Sequence, residues 1–203
     1  GGIGTSAHNE GFTHDYDLPN PSAYAETCAA VGLVFWSHRM LELECDGRFA
    51  DVMERALYNG AISGVSLDGK RFFYANPLES SGDVARQQWF DCACCPPNIA
   101  RLLASLGHYV YSQSEREAWV HLYIQGQAEL DVGGRRVEIE QKTAYPWKPK
   151  VTLRIRPQQP ARFTLCLRIP GWCRAPQAKL LGRPLRLGPL LRRGYARIER
   201  VWN

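Results

Sequence analysis

Three cysteines fall within the five residues Asp91-Cys92-Ala93-Cys94-Cys95, directly before Pro96-Pro97, and another lies far upstream in Glu26-Thr27-Cys28. Thiolate sulfur is a preferred ligand of zinc, and two or three cysteines with one carboxylate fill a tetrahedral shell. The two prolines fix φ at a helix start, which puts Cys94 and Cys95 at the positive end of that helix dipole. A helix N-terminus and a nearby dication both favour thiolate over thiol. A cysteine held in this way serves as a structural ligand, a redox centre or a nucleophile, and spacing alone does not choose among these.

The elements that must position these residues form a helical first part and a stranded second part. Helices are expected over Cys28–Glu44, Phe49–Tyr58 and Pro97–Gly107, with Asp68-Gly69 as a turn between two short strands. The run Val31-Gly32-Leu33-Val34-Phe35-Trp36 is apolar on nearly all sides, so burial on more than one side is expected for the first helix. Residues i and i+2 point to different sides of an α-helix, so Glu26 and Cys28 share one metal only if Ala25–Cys28 is irregular or lies at a helix end, with Thr27 as a cap. From about Trp119 the period changes to two. Strands are expected at 118–124, 136–140, 151–155, 163–169, 179–187 and 195–201, in the manner of a β-sandwich. The most polar stretch between the parts, Ser112–Glu117, is read as the join, giving domains 1–115 and 116–203.

The 203 residues are 45% apolar and 22% charged, an ordinary globular composition that excludes a disordered chain. The net charge of +5 conceals a split: residues 1–130 carry 8 Lys+Arg against 16 Asp+Glu, and residues 131–203 carry 17 against 4. The arginines of the second part punctuate alternating strands, which favours solvated strand faces over nucleic-acid binding. No apolar run is long enough for a membrane helix. Seven cysteines, three of them too close to pair, argue against a secreted disulfide framework and for a reducing, cytoplasmic compartment. The opening Gly1-Gly2-Ile3-Gly4 lacks an initiator Met, and the chain stops just after a strand-like alternation, so both ends are expected to be cut.

Several stretches together resemble one family. They are Gly1-Gly2-Ile3-Gly4, Asn9-Glu10-Gly11-Phe12, Asp15-Tyr16-Asp17-Leu18-Pro19-Asn20, Ala25-Glu26-Thr27-Cys28, Ala50-Asp51-Val52-Met53-Glu54-Arg55, Phe72-Phe73-Tyr74-Ala75-Asn76-Pro77 and Trp89-Phe90-Asp91-Cys92-Ala93-Cys94-Cys95-Pro96-Pro97-Asn98, with Ile169-Pro170-Gly171-Trp172 in the second part. They are similar to glycoside hydrolase family 127, the β-L-arabinofuranosidases. The resemblance implies an α+β chain in two parts, helices of a partial (α/α)6 barrel followed by an antiparallel β-sandwich. It also implies a zinc-dependent retaining hydrolase that removes terminal β-L-arabinofuranose from oligosaccharides. On this sequence the zinc ligands would be Glu26, Cys28, Cys94 and Cys95, with Cys94 also the nucleophile, Glu10 the general acid/base, and Glu54 and Tyr74 contacts to the sugar.

Two departures from the family pattern bear on activity. The stretch Leu78–Trp89 is shorter than the family's loop, and the helices that precede Gly1 in the family are absent. An unclosed barrel leaves apolar faces uncovered, at roughly 25 cal/mol per Å², so the chain alone is expected to be little active and to aggregate or associate, including into homo-oligomers. A second function class is a non-catalytic structural zinc module with a carbohydrate-binding β-sandwich, its platform Trp119, Tyr123, Trp147 and Trp172. A thiol redox protein fits less well, because Cys-Ala-Cys-Cys is not the Cys-x-x-Cys of that chemistry. Cys92 is read as a small buried residue beside the site, and Cys45, Cys166 and Cys173 as core or turn cysteines. His8 is read as an exposed loop residue near Glu10; no role is assigned to His14, His38, His108 or His121.

Overall fold

The computed structural model describes Gly4 and residues 10–203. His8, and the Gly1-Gly2-Ile3 and Asn9 portions of the motifs, lie outside the described residues. Contacts divide the chain into two compact units, Gly1–Glu44 with Asp51–Ser105, and Cys45–Ala50 with Leu106–Asn203. Helices carry the first unit and strands the second, an α+β chain.

In the first unit, α1 spans Thr27–Leu43 and α3 spans Cys95–Ser105. The buried residues of α1 are Thr27, Ala30, Val31, Val34, Ser37 and Leu41, a stripe at helical spacing. That stripe packs on α3 and on the turn Ala56–Ala61. Burial on more than one side does not occur: Trp36 is 54% and Leu43 81% exposed. The apolar run is continuous in sequence, but only one stripe of it meets packed neighbours. Between α1 and α3, Arg101 stacks its guanidinium over the Phe35 ring at 4.5 Å.

Helix α2, Gly47–Arg55, does not stop at Asn59-Gly60. It runs into a π-helical turn, Ala56–Ala61, and a 3₁₀ turn, Ile62–Gly64. At Gly64 a Cβ would lie 2.9 Å from Thr27 Oγ1, so the missing side chain lets this turn press against the start of α1. The expected Asp68-Gly69 turn forms, with Gly69 at φ 71° and Ser66 N–H donating to Arg71 O; its flanks reach only isolated bridges, Val65 to Phe72 and Phe72 to Gln87.

The second unit holds α4 (Gly107–Val110) and ten strands: β1 Tyr111–Gln113, β2 Glu117–Val120, β3 Gly126–Asp131, β4 Arg136–Thr143, β5 Val151–Pro157, β6 Ala161–Arg168, β7 Ala178–Leu180, β8 Arg183–Leu185, β9 Leu191–Arg192 and β10 Tyr195–Trp202. They form a five-stranded sheet in the order β1-β2-β6-β10-β9, a three-stranded sheet β3-β4-β5 and the hairpin β7-β8. Pairing is antiparallel except that β2 and β6 run parallel, Glu117 opposite Thr164 to Val120 opposite Leu167. The polar stretch Ser112–Glu117, read as the join, is the β1–β2 turn region, with Ser114 N–H donating to Glu117 O.

Three features of the strands were not legible in their alternation. Strand β3 was missed because Gln127-Ala128-Glu129 has weak strand preference and only Leu130 is buried. The run 179–187 is not one strand but the hairpin β7-β8, turned by Leu181 at φ 50° and Gly182 at φ 80°. The parallel β2–β6 pair joins strands far apart in sequence, which period alone does not report.

Buried side chains from both larger sheets make one core. Ala118, Val120, Phe163, Leu165, Ile198 and Trp202 come from the five-stranded sheet, and Leu130, Val137 and Ile139 from the three-stranded one. Buried polar side chains of this unit are hydrogen-bonded: His121 Nδ1 meets Tyr195 Oη and its Nε2 meets Ser112 Oγ, both at 2.7 Å, and Arg168 Nε donates to the His121 carbonyl at 2.6 Å. Arg168 is buried, whereas the arginines of β5 stand on a solvated strand face. Arg154 faces Glu140 and Arg156 faces Glu138 across β4–β5, and the Arg154 guanidinium lies 3.4 Å from Glu140. Such exposed pairs contribute little, because water and salt screen them.

A close backbone contact ties the start of α2 to the last hairpin. Gly47 N–H donates to Arg193 O at 2.8 Å, and a Cβ on Gly194 would lie 2.9 Å from Gly47 Cα while forced into a left-handed φ of 79°. Gly194→Ala meets both penalties and should destabilise this unit by about 2 kcal/mol or more. Urea unfolding followed by the fluorescence of buried Trp119 and Trp202 measures this loss.

Candidate metal centre

Glu26 ends an extended segment and opens α1. Its φ of -80° and ψ of 136° are those of a strand, its carbonyl accepts from Ala30 N–H, and its carboxylate makes no capping bond to the helix. Cys28 lies in the first helical turn. The irregularity demanded by the i, i+2 spacing is therefore present, one residue before the helix. Thr27 is not the cap: it is the first helical residue, and its hydroxyl donates to Phe73 O at 2.9 Å.

A short antiparallel pairing places Tyr74. Thr27 N–H donates to Tyr74 O at 2.9 Å and Asn76 N–H to Ala25 O at 2.8 Å, with Glu26 bridged to Ala75. Cys94 and Cys95 come from the start of α3. The Cys94 carbonyl accepts from Asn98 N–H at 3.1 Å, so Cys94 occupies the N-cap and Cys95, Pro96 and Pro97 fill the first turn, where proline's missing N–H costs nothing.

Glu26, Cys28, Cys94 and Cys95 thus converge, their ligand atoms all within 4.8 Å of one another. Cys94 Sγ lies 3.6 Å from Glu26 Oε1 and 3.8 Å from Cys95 Sγ. Cys95 Sγ lies 4.0 Å from Glu26 Oε1 and 3.3 Å from Cys28 Sγ. With bonds of about 2.3 Å to sulfur and about 2.1 Å to oxygen, a tetrahedral shell has S···S edges of about 3.8 Å and S···O edges of about 3.6 Å. Two of the four separations match those edges and the others lie within about half an ångström. Among the described residues this is the group able to hold a metal ion.

Electrostatics favour a cation at this point. Burial pushes the Cys28 thiol up to about 11, and burial followed by the contact with Cys28 takes Cys95 further in the same direction. Buried thiols of this kind lose their protons only against positive charge. The Tyr74 hydroxyl hydrogen-bonds Cys94, which, with burial, holds it well above the ordinary tyrosine range. Burial, then hydrogen bonding to Glu26, raises Tyr24 to about 12, and the charge of Glu10 adds to this.

The other residues singled out lie as follows. Glu10 is exposed and its charge reaches Tyr24. Glu54 is buried on α2, and Tyr74 packs edge-on against Phe90 at 5.6 Å. Cys92 is exposed, not buried as expected, because Asp91 and Cys92 sit in the loop just ahead of the helix cap. Cys166 is a core cysteine pushed up to about 12 by burial, Cys45 packs against the same cluster, and Cys173 closes the Pro170 turn. Of the aromatic platform, Trp119 is buried, while Trp147 and Trp172 are exposed.

Sequence reasoning passed over Asn98 and Tyr24. Asn98 Nδ2 donates to Cys28 Sγ at 3.1 Å. Its signal was the i, i+4 spacing from Cys94, which puts both on one helix face. Tyr24 carried a signal too, since i and i+2 share a face in an extended segment and it lies two residues before Glu26.

Residues 1–108 match the family model described as Beta-L-arabinofuranosidase, GH127 catalytic domain, and residues 117–203 match that family's middle domain. The chain belongs to glycoside hydrolase family 127. Within the family it is 42% identical over 192 residues to a non-reducing end beta-L-arabinofuranosidase of Bifidobacterium longum subsp. longum, covering 86% of this chain and 28% of that protein. A solved family 127 beta-L-arabinofuranosidase from Geobacillus stearothermophilus superposes with a TM-score of 0.95 at 54% identity, over 100% of this chain and 34% of that one. A second solved structure, a family 127 beta-arabinofuranosidase, gives 0.90 at 42% identity over 99% of this chain and 34% of its own. The chain therefore spans about a third of the length of these relatives.

Cys28→Ser and Cys94→Ser each remove one donor, and each should lower bound metal from about one ion per chain to well below it, as read by elemental analysis. Because binding displaces thiol protons, apparent metal affinity should rise with pH throughout the range below about 11, where Cys28 is otherwise protonated. Chelator competition at several pH values checks the sign.

Proposed function

We propose that this chain carries the reactive centre of a zinc-dependent retaining glycoside hydrolase that removes terminal β-L-arabinofuranose from oligosaccharides. The helical part is read as the C-terminal portion of an (α/α)6 barrel and the stranded part as a β-sandwich. The observation that carries the reading is the convergence of Glu26, Cys28, Cys94 and Cys95, with Cys94 half-buried at a helix N-cap and Cys95 fully buried beside it. A three-sulfur, one-oxygen donor set suits zinc. Bound there, zinc would hold Cys94 as thiolate at neutral pH.

Cys94 is the nucleophile in this reading and Glu10 the general acid/base. Cys94 Sγ forms a bond to the anomeric carbon while the bond to the leaving oxygen breaks and the Glu10 carboxylic acid gives that oxygen its proton. In the second half the Glu10 carboxylate takes a proton from water, whose oxygen displaces the sulfur, and two inversions leave the configuration retained. The Tyr74 hydroxyl, beside Cys94, orients the sulfur and reaches the sugar, and buried Glu54 is a further sugar contact. Partial exposure of Cys94 and exposure of Glu10 support access for substrate. No described helix is long and apolar enough to cross a membrane.

Because the chain alone is expected to be little active, hydrolysis of an aryl β-L-arabinofuranoside by this zinc-loaded chain placed within a full-length family 127 protein tests the reading, with the anomer first released identified by NMR. Cys94→Ser should abolish turnover. Glu10→Gln should lower turnover of an oligosaccharide by about 10²–10⁴-fold, and that of the aryl substrate, whose leaving group needs little protonation, by less. Zinc binding without hydrolysis, unchanged by Glu10→Gln, would instead favour a structural zinc module, with exposed Trp147 and Trp172 on a sugar-binding surface.

A further inference from the structure

We infer that Asn98 is a positioning residue of the metal centre, whose side-chain amide holds Cys28 as a fixed ligand and ties α1 to α3 across the site; this rests on the metal-centre reading above. Asn98 stands one helical turn after Cys94, so a single face of α3 presents two donor sulfurs and this amide. The residue is held at both ends. Its backbone N–H closes the first hydrogen bond of α3 onto Cys94 O at 3.1 Å, and its Nδ2 donates to Cys28 Sγ, also at 3.1 Å.

The geometry holds Cys28 in place. Cys28 comes from the other helix and would be free to turn about χ1 without a partner, yet the amide and Cys95 Sγ at 3.3 Å hold it from two sides. A donor aimed at a thiolate stabilises its charge and fixes its direction, which holds that sulfur in place as a ligand. Cys94 meets the Tyr74 hydroxyl and the Glu26 carboxylate instead. Asn98 thereby fixes Cys28 as an anchor of the site. Outer partners of metal ligands typically change metal affinity by about 10–100-fold.

The test uses Asn98→Ala and the near-isosteric Asn98→Leu, neither of which can donate. Zinc affinity is measured by competition with a chromophoric chelator, and circular dichroism reports the helices. The Co2+-loaded proteins report the sulfur directly through the thiolate-to-metal charge-transfer band. The expected result is a 10–100-fold loss of zinc affinity with helix signal retained, and a shift of the band to longer wavelength as the sulfur loses its hydrogen bond. A merely structural asparagine would not move that band. Should Asn98→Ala lose helix signal, Asn98→Leu carries the same readouts. If the parent binds one zinc and the folded variant binds within twofold of it with an unmoved band, the role of Asn98 is overturned while the metal centre stands. A folded parent that binds no zinc would overturn the metal-centre reading itself, and this inference with it.

Discussion

Three sulfurs and a carboxylate cannot share a few ångströms of buried space as anions, because each desolvated charge raises the cost of ionising the next. That constraint shapes the first unit. With Cys28 pushed up to about 11 by burial and Cys95 pushed further, the cluster is either a set of neutral thiols around one carboxylate or a set of ligands around a cation. Binding energy for a metal then becomes energy for holding the segments together. Three chain segments meet there: the extended residues ending at Glu26, the first turn of α1 and the N-terminus of α3.

The packing around the cluster follows from this convergence. Gly64 has no side chain where Thr27 must fit, and Thr27 in turn gives both its N–H and its hydroxyl to the Phe73-Tyr74 backbone. Tyr74 therefore reaches Cys94 through backbone pairing made on the far side of Glu26. A dipole end, two prolines that need no partners and a cap residue that is itself a candidate metal ligand place Cys94 and Cys95. The second unit is organised on other terms, by alternating burial on its two larger sheets and one shared apolar core.

Much of the candidate site was legible in the order of residues. The requirement that Glu26 and Cys28 straddle a helix start follows from helical geometry, and Glu26 is extended with α1 beginning at the next residue. The prolines after Cys95 announced α3. Less could be read of Asn98 and Tyr24, whose importance lies in what they touch across the fold. The exposure of Cys92 was also misjudged, since two residues' separation from a buried ligand says little about burial in a loop.

By itself, the sequence determined the two-part division into helices and strands and the resemblance to one family, which carried the expected donor set with it, because periodicity and motif spacing are local properties carried along the chain. Only the tertiary structure decided which side of α1 is buried, that β2 runs parallel to β6, that 179–187 folds back as a hairpin, and that Asn98 donates to Cys28. Each of these depends on residues distant in sequence meeting in space. Burial and partner choice are set by what lies opposite a side chain, and no local period encodes that.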